Sequence, residues 1–295
     1  MINWKMKEKI VSKILLLFAF SSILFLTGII IVLFKEGLPI LKEVGLFEFI
    51  FGKEWYPTYE PPDFGILPLL TASLMVTLGA MFIAVPVGVS SAIFISYILP
   101  KRLKNLVKPI VELLAGVPSV IYGLFGMKIL APYLRRLFDL PTGLTALTAS
   151  IMLGIMALPT IVSLAEDAIN AVPKTFRDAS LALGGTKWET ISRVILPTAI
   201  SGIVTAVILG IGRAIGETMT VLMVAGGAAM IPKGFLAPVR PMTASIAAEM
   251  GEAPVGSEHY HALFGIAIIL FILTLFFNIF ADMAQNRFKK KVTAK

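Results

Sequence analysis

Arg213 and Glu217 stand in the middle of a long apolar stretch, in the run Gly212-Arg213-Ala214-Ile215-Gly216-Glu217-Thr218. Placed at i and i+4, they share one face if the stretch is a continuous helix. A charge at the centre of a bilayer costs roughly 2.5–3.5 kcal/mol on insertion scales, so an intramembrane pair is a functional candidate by default. The guanidinium offers a planar fork of N–H donors that matches a tetrahedral or planar oxyanion. The expected chemistry is anion recognition: Glu217 holds Arg213 while the path is empty, and an arriving anion displaces part of that pairing. The plainer reading is an ion pair that only fixes helix packing.

The elements that must position these residues are membrane helices. The chain has 295 residues, 57% hydrophobic and 15% charged, with mean hydropathy +0.88; soluble domains carry about 25% charged residues. This is an all-α polytopic membrane protein. About 20 apolar residues cross a bilayer, which gives six spans, expected near 14–34, 66–99, 106–134, 143–165, 197–230 and 262–283. The second is long enough to kink at Pro86 or to extend beyond the hydrocarbon. The basic N-terminal start before the first span resembles a signal peptide, but the apolar run exceeds the usual 7–15 residues, so it is expected to stay as a span. Most of the 26 Lys and Arg fall on one side if both termini are cytoplasmic, and the net charge of +8 follows from that bias rather than from nucleic-acid binding. Arg135 and Arg136 run against it. There is no cysteine, which excludes disulfides, thiol catalysis and thiolate metal sites.

The long inner segment 166–196 carries a second pattern. Pro173 suits a helix start and Gly184 a left-handed residue just past its end, with Phe176, Ala179, Ser180 and Leu183 on one face between them. A second short helix is expected from Lys187 to Leu196. Periodicity alone allows an amphipathic helix lying on the membrane. The residues also resemble the cytoplasmic motif of ABC-importer permeases: EAA, three residues, Gly, nine residues, then I-x-L-P. Here it reads Asp178-Ala179-Ser180, Gly184 and Val194-x-Leu196-Pro197, with conservative departures at Asp178, Ser180 and Val194. The resemblance implies a coupling helix that docks an ATPase, through Phe176, Arg177, Asp178, Ala179, Ser180, Leu183 and Gly184. The chain lacks a phosphate loop of the form G-x-x-x-x-G-K-[ST], so ATP chemistry is expected on a separate subunit.

Three further runs narrow the family: 112–126 with Gly116-Val117-Pro118-Ser119-Val120-Ile121-Tyr122-Gly123, 182–190 with Gly184-Gly185-Thr186-Lys187-Trp188, and 212–219 around Arg213 and Glu217. Together they resemble permease subunits of the high-affinity phosphate importer. The runs at 52–57, 64–68 and 217–223 favour the PstC type over its PstA-type partner. The resemblance spans about 49–283. It implies a type I ABC importer permease of MetI-like architecture, a single permease domain over 1–295 with its core at 66–283 and coupling loop at 172–197. It also implies a PstA-type partner, two ATPase copies, an extracytoplasmic phosphate-binding protein, and no cofactor in this chain, with ATP and Mg on the ATPase. The chain itself is then no enzyme. Glu217 is placed to accept the proton of a P–OH group, which fully ionised sulfate lacks. Molybdate, sulfate or phosphonate remain alternative cargoes, and a phosphate-signalling scaffold an alternative role.

The expected path residues are Arg213, Glu217, Thr218, Ser119 and Tyr122, the last three as hydroxyl donors that serve equally well in capping or packing. Gly116, Pro118, Gly123 and Gly126 suit bending and close helix approach. Glu112 is expected to touch a neighbouring helix or loop, Lys128 to snorkel near the outer interface, and Glu166 and Asp167 to sit in solvent. His259 and His261 lie in an outer loop without companion ligands.

Overall fold

The computed structural model describes residues 4–293. Residues 1–3 and 294–295, the extreme termini in the orientation expectation, lie outside this range.

Helix α1 (Trp4–Glu43) runs well beyond its expected span, with Leu16, Phe18 and Phe25 exposed, as a lipid-facing helix requires. The segment after it is structured: α2 (Leu46–Phe51) is followed by an antiparallel pair, β1 (Trp55–Tyr56) and β2 (Asp63–Phe64). Helix α3 (Leu67–Ile93) starts with Pro68 in its first turn, where a missing N–H is harmless, continues through Pro86, and ends in a π turn (Phe94–Ile98). The third expected span is two pieces. Helix α4 (Lys101–Ala115) stops at Gly116-Val117-Pro118, and α5 (Ser119–Phe125) leaves at 90°, continuing through a π turn (Gly126–Leu130) into α6 (Ala131–Leu137). Helix α7 (Ala146–Asn170) is capped by Thr145, whose hydroxyl accepts the Thr148 N–H at 3.3 Å.

Helix α8 (Lys174–Ala182) begins after Pro173, and Gly184 takes φ +83° just beyond its end, as the sequence leads one to expect. Thr186 and Glu189 close a capping box on α9 (Lys187–Thr190), which passes through a π turn (Ile191–Ile195) into α10 (Leu196–Ile215). The fifth span, expected unbroken to residue 230, ends there; α11 (Met219–Val224) is a separate short helix. Helices α12 (Met242–Glu249) and α13 (Glu258–Thr293) follow. Among the described residues five helices are long and apolar enough to span a membrane, and the bent α4–α6, counted as one span, makes six, the number expected.

Small residues set the core. Ala72, Ala80 and Ala84 of α3 share one buried cluster with Ala146, Ala149 and Ala157 of α7. In lipid, apolar surface alone does not drive helices together, so close backbone approach and dispersion contacts must. Ile161 of α7 shows the principle: a Cβ at Gly88 would lie 2.7 Å from its Cγ2, and one at Gly210 2.7 Å from its Cγ1. Glycine at both positions lets α3 and α10 close on the same side chain. One end of the bundle carries the β pair and α12; the other carries α8 and α9.

Candidate functional site

The two helix breaks face each other. A helix leaves its last four carbonyls without intrahelical donors, and at the end of α4 three of them are accounted for. Leu113 O accepts the Gly116 N–H at 3.0 Å, Leu114 O accepts the Val117 N–H at 3.3 Å and the Tyr122 hydroxyl at 3.0 Å, and Ala115 O accepts Arg213 Nη2 at 3.2 Å. Arg213 thus places its charge at the negative end of the α4 dipole, where a cation is stabilised. Its Nη1 makes a longer contact, 3.5 Å, to Thr160 Oγ1 of α7. Pro118 sustains the break, because it cannot donate to a continuing ladder.

The α10–α11 break is built from the opposite charge. Gly216 closes α10, and Glu217 Oε1 accepts the Thr220 N–H at 3.0 Å, capping the first turn of α11. Its carbonyl accepts Thr243 Oγ1 at 2.8 Å. Thr220, fully buried, donates its hydroxyl to Ser119 O at 3.0 Å and so ties the second break to the first. The Thr218 hydroxyl turns back to Gly216 O at 3.3 Å. Close approach completes the junction: a Cβ at Gly123 would meet Met223 Sδ at 2.6 Å.

This overturns the expected ion pair. Arg213 and Glu217 do not share a continuous helix, and no salt bridge joins them. Each neutralises a helix end instead. The five expected path residues nevertheless gather here, Ser119 through its carbonyl rather than its hydroxyl. Arg213, Glu217 and Thr218 are half-buried, with Gly212, Gly216 and Met219 exposed beside them. A guanidinium has five N–H donors, so the two contacts seen leave donors for a ligand. Thr160, Thr220 and Thr243 were not foreseen; the signal for the first break, Gly116-Val117-Pro118, was legible.

At the α8 end the coupling candidates divide. Phe176, Ala179, Ser180, Leu183 and Gly184 line one groove of about 550 Å3 with Arg193 and Val194. Leu183 is 90% exposed, a large apolar side chain held out on a rigid turn. Ser180 Oγ lies 2.9 Å from Thr190 Oγ1, fixing α8 against the following turn. Arg177 points elsewhere, over the Tyr97 ring at 5.9 Å, and Asp178 lines neither groove nor ring.

Other expectations need correction. Glu166 is 2% exposed, not in solvent: Lys104 Nζ lies 2.6 Å and Lys108 Nζ 2.7 Å from its oxygens, and Asn170 donates to it as well. Asp167 stays exposed and pairs with Lys108 at 2.7 Å. These contacts pin α4 to α7, because α4 puts Lys104 and Lys108 one turn apart toward a carboxylate that has no water to turn to. Glu112 is exposed, with no ion pair among the described residues. His259 has a companion: its Nε2 lies 2.9 Å from Glu249, which also accepts Arg240 at 2.6 Å and the Trp55 indole N–H at 3.1 Å. Among the described residues no group of three or more metal-ligating side chains gathers.

Residues 84–294 match the family of binding-protein-dependent transport system inner membrane components. The chain belongs to this family. It is therefore a non-catalytic, multi-pass inner-membrane permease component of an ABC transporter, and the phosphate branch is represented among its relatives. A phosphate transport system permease protein PstC of Mesorhizobium japonicum is 35% identical over 275 residues, covering 87% of this chain and 83% of that protein. A probable ABC transporter permease protein of Bacillus subtilis, YqgH, is 35% identical over 250 residues, covering 85% and 81%. Solved permeases share the fold: the bacterial alginate ABC transporter at TM-score 0.66, 14% identity and 95% of each chain, and the inward-facing MetNI methionine transporter at TM-score 0.59, 19% identity, 76% of this chain and 95% of that one. The breaks in α4–α5 and α10–α11 are irregular backbone between apolar helices; within a bilayer such backbone is tolerated only where protein or a water-lined path covers it.

Proposed function

We propose that the chain is the PstC-type subunit of an ATP-driven, high-affinity importer of inorganic phosphate. It pairs with a PstA-type permease to form the path, receives phosphate from an extracytoplasmic binding protein, and rests on two ATPase copies that hold ATP and Mg. The observation that carries this reading is Arg213, half-buried between two helix breaks and bonded to the single carbonyl Ala115 O at 3.2 Å. The PstC relatives supply the cargo. Both termini lie in the cytoplasm, so the α8 end faces inward; residues 66–283 form the permease core of one domain, and 172–197 its coupling loop.

The geometry supports a specific exchange. Phosphate oxygens compete with Ala115 O for the guanidinium; a hydrogen bond to a charged group contributes roughly 1.5–3 kcal/mol, so the anion can loosen the hold of Arg213 on the end of α4. Occupancy of the path thereby bears on the bend between α4 and α5. Glu217 keeps one oxygen free of α11 and is placed to accept the P–OH proton. ATP-driven movement of the groove carrying Leu183 is transmitted through the π turn into α10, whose last turn holds Arg213. Co-purified complex in liposomes, with ATP inside and loaded binding protein outside, should accumulate phosphate, and excess sulfate or molybdate should leave uptake unchanged. Competition by either anion would reassign the cargo.

A further inference from the structure

Arg177 and Lys187 point to a second anion site, separate from the path. With Tyr97, Ile98, Leu181 and Thr190 they line a cavity of about 210 Å3 between the end of α3 and the α8–α9 turn. That volume is below the roughly 300–1,000 Å3 of sites for drug-sized ligands and suits a headgroup. No carboxylate lines the cavity, and among the described residues neither cation has an ion-pair partner. Arg177 is held over the Tyr97 ring at 5.9 Å, which orients the guanidinium by cation–π attraction without consuming its N–H donors. Two unpaired cations side by side repel each other unless an anion sits between them.

The cavity's place narrows the anion's source. The membrane-length helix Leu67–Ile98 ends in its wall, so it lies where hydrocarbon gives way to headgroups. Ile98 is 57% exposed and Leu181 37% exposed at its lip, and Trp188, 64% exposed on the neighbouring turn, is the residue type enriched at that depth. Basic pockets of this kind on the cytoplasmic side take phospholipid phosphates. We propose that the cavity binds a phosphate group at the inner membrane surface, presented by an anionic phospholipid whose acyl chains lie along Ile98 and Leu181. The leaflet rests on the inward placement of the α8 end given above; the phosphate chemistry does not. A bound headgroup would tie α8 to the bilayer on the side away from the Leu183 groove, giving the helix a fulcrum.

The test is native mass spectrometry of the purified complex titrated with phosphatidylglycerol, with phosphatidylcholine, and with inorganic phosphate. Phosphatidylglycerol retention should fall about thirtyfold in Arg177→Gln/Lys187→Gln, the factor for two lost basic contacts, and about fivefold in Lys187→Gln alone. Arg177→Lys/Lys187→Arg should restore it, and phosphatidylcholine retention should not change. Charge-dependent binding of inorganic phosphate with no lipid preference would support the same site with solute as its source. Equal phosphatidylglycerol and phosphate retention in wild type and both Gln variants would overturn the proposal. Because the readout needs no transport, failure here leaves the uptake reading standing, and failed uptake leaves this one testable.

Discussion

The Arg213 junction and the Glu166 cluster use the same ingredients in opposite ways. Around Glu166, a buried carboxylate is saturated by Lys104, Lys108 and Asn170. Opposite charges there engage each other, and the result is a clamp between α4 and α7. At the junction, Arg213 and Glu217 ignore each other and each satisfies a broken helix end, Ala115 O for one and the Thr220 N–H for the other. Such contacts are exchangeable, because a ligand oxygen can replace a carbonyl without stranding a second buried charge. Charges that neutralise one another hold structure; charges that neutralise backbone can be traded. Both regions act on α4, one near each end, so the clamp fixes what the junction can release.

The sharpest way to break this contrast is to damage each region and ask what fails. Arg213→Gln should abolish phosphate uptake, while the complex still assembles and its melting temperature moves little. Glu166→Ala should do the reverse in order: removing one partner of a buried ion cluster costs about 3 kcal/mol, so thermal unfolding in detergent should drop markedly before any transport assay is run. Leu183→Asp should leave stability unchanged, since the side chain is 90% exposed, and should uncouple ATP hydrolysis from loaded binding protein. Glu217→Gln should be mild, because an amide oxygen still caps Thr220; partial uptake with a changed pH profile would isolate its proton-accepting role. Tyr122→Phe should be smallest, about 1 kcal/mol or less, since Leu114 O keeps the Val117 N–H. Loss of uptake in Tyr122→Phe would show that the hydroxyl serves the anion and not the α4 end.

Much of this was legible in the residues. Apolar run length located six crossings, and the Pro173 and Gly184 punctuation located α8. The family resemblance was carried by runs that prove to form the junction and the groove. What did not show was where backbone stops being helical. The sequence from 197 to 230 is mostly apolar on both sides of Arg213 and Glu217, so run length continues the span; Gly216 and the Glu217 cap on Thr220 end one helix and start the next, and Thr243 and Ser119 O, groups distant in sequence, hold the break. The expected salt bridge failed for the same reason, since i to i+4 spacing joins side chains only on an unbroken helix. Glu166 looked like a solvated residue at a span end because its lysines lie on another helix. Between α1 and α3, Phe49, Trp55 and Phe64 share one buried cluster with Leu263 and Ile266 of α13, a contact that local pattern cannot disclose.

The central claim is that Arg213 holds the end of α4 and gives up that hold to phosphate. Binding-protein-dependent phosphate uptake by the reconstituted complex, compared between wild type and Arg213→Gln at equal assembly, tests it most directly. Uptake at background level in the variant, with ATPase stimulation by loaded binding protein preserved, is the predicted result. Uptake at the wild-type rate would contradict it and leave Arg213 a helix cap and nothing more.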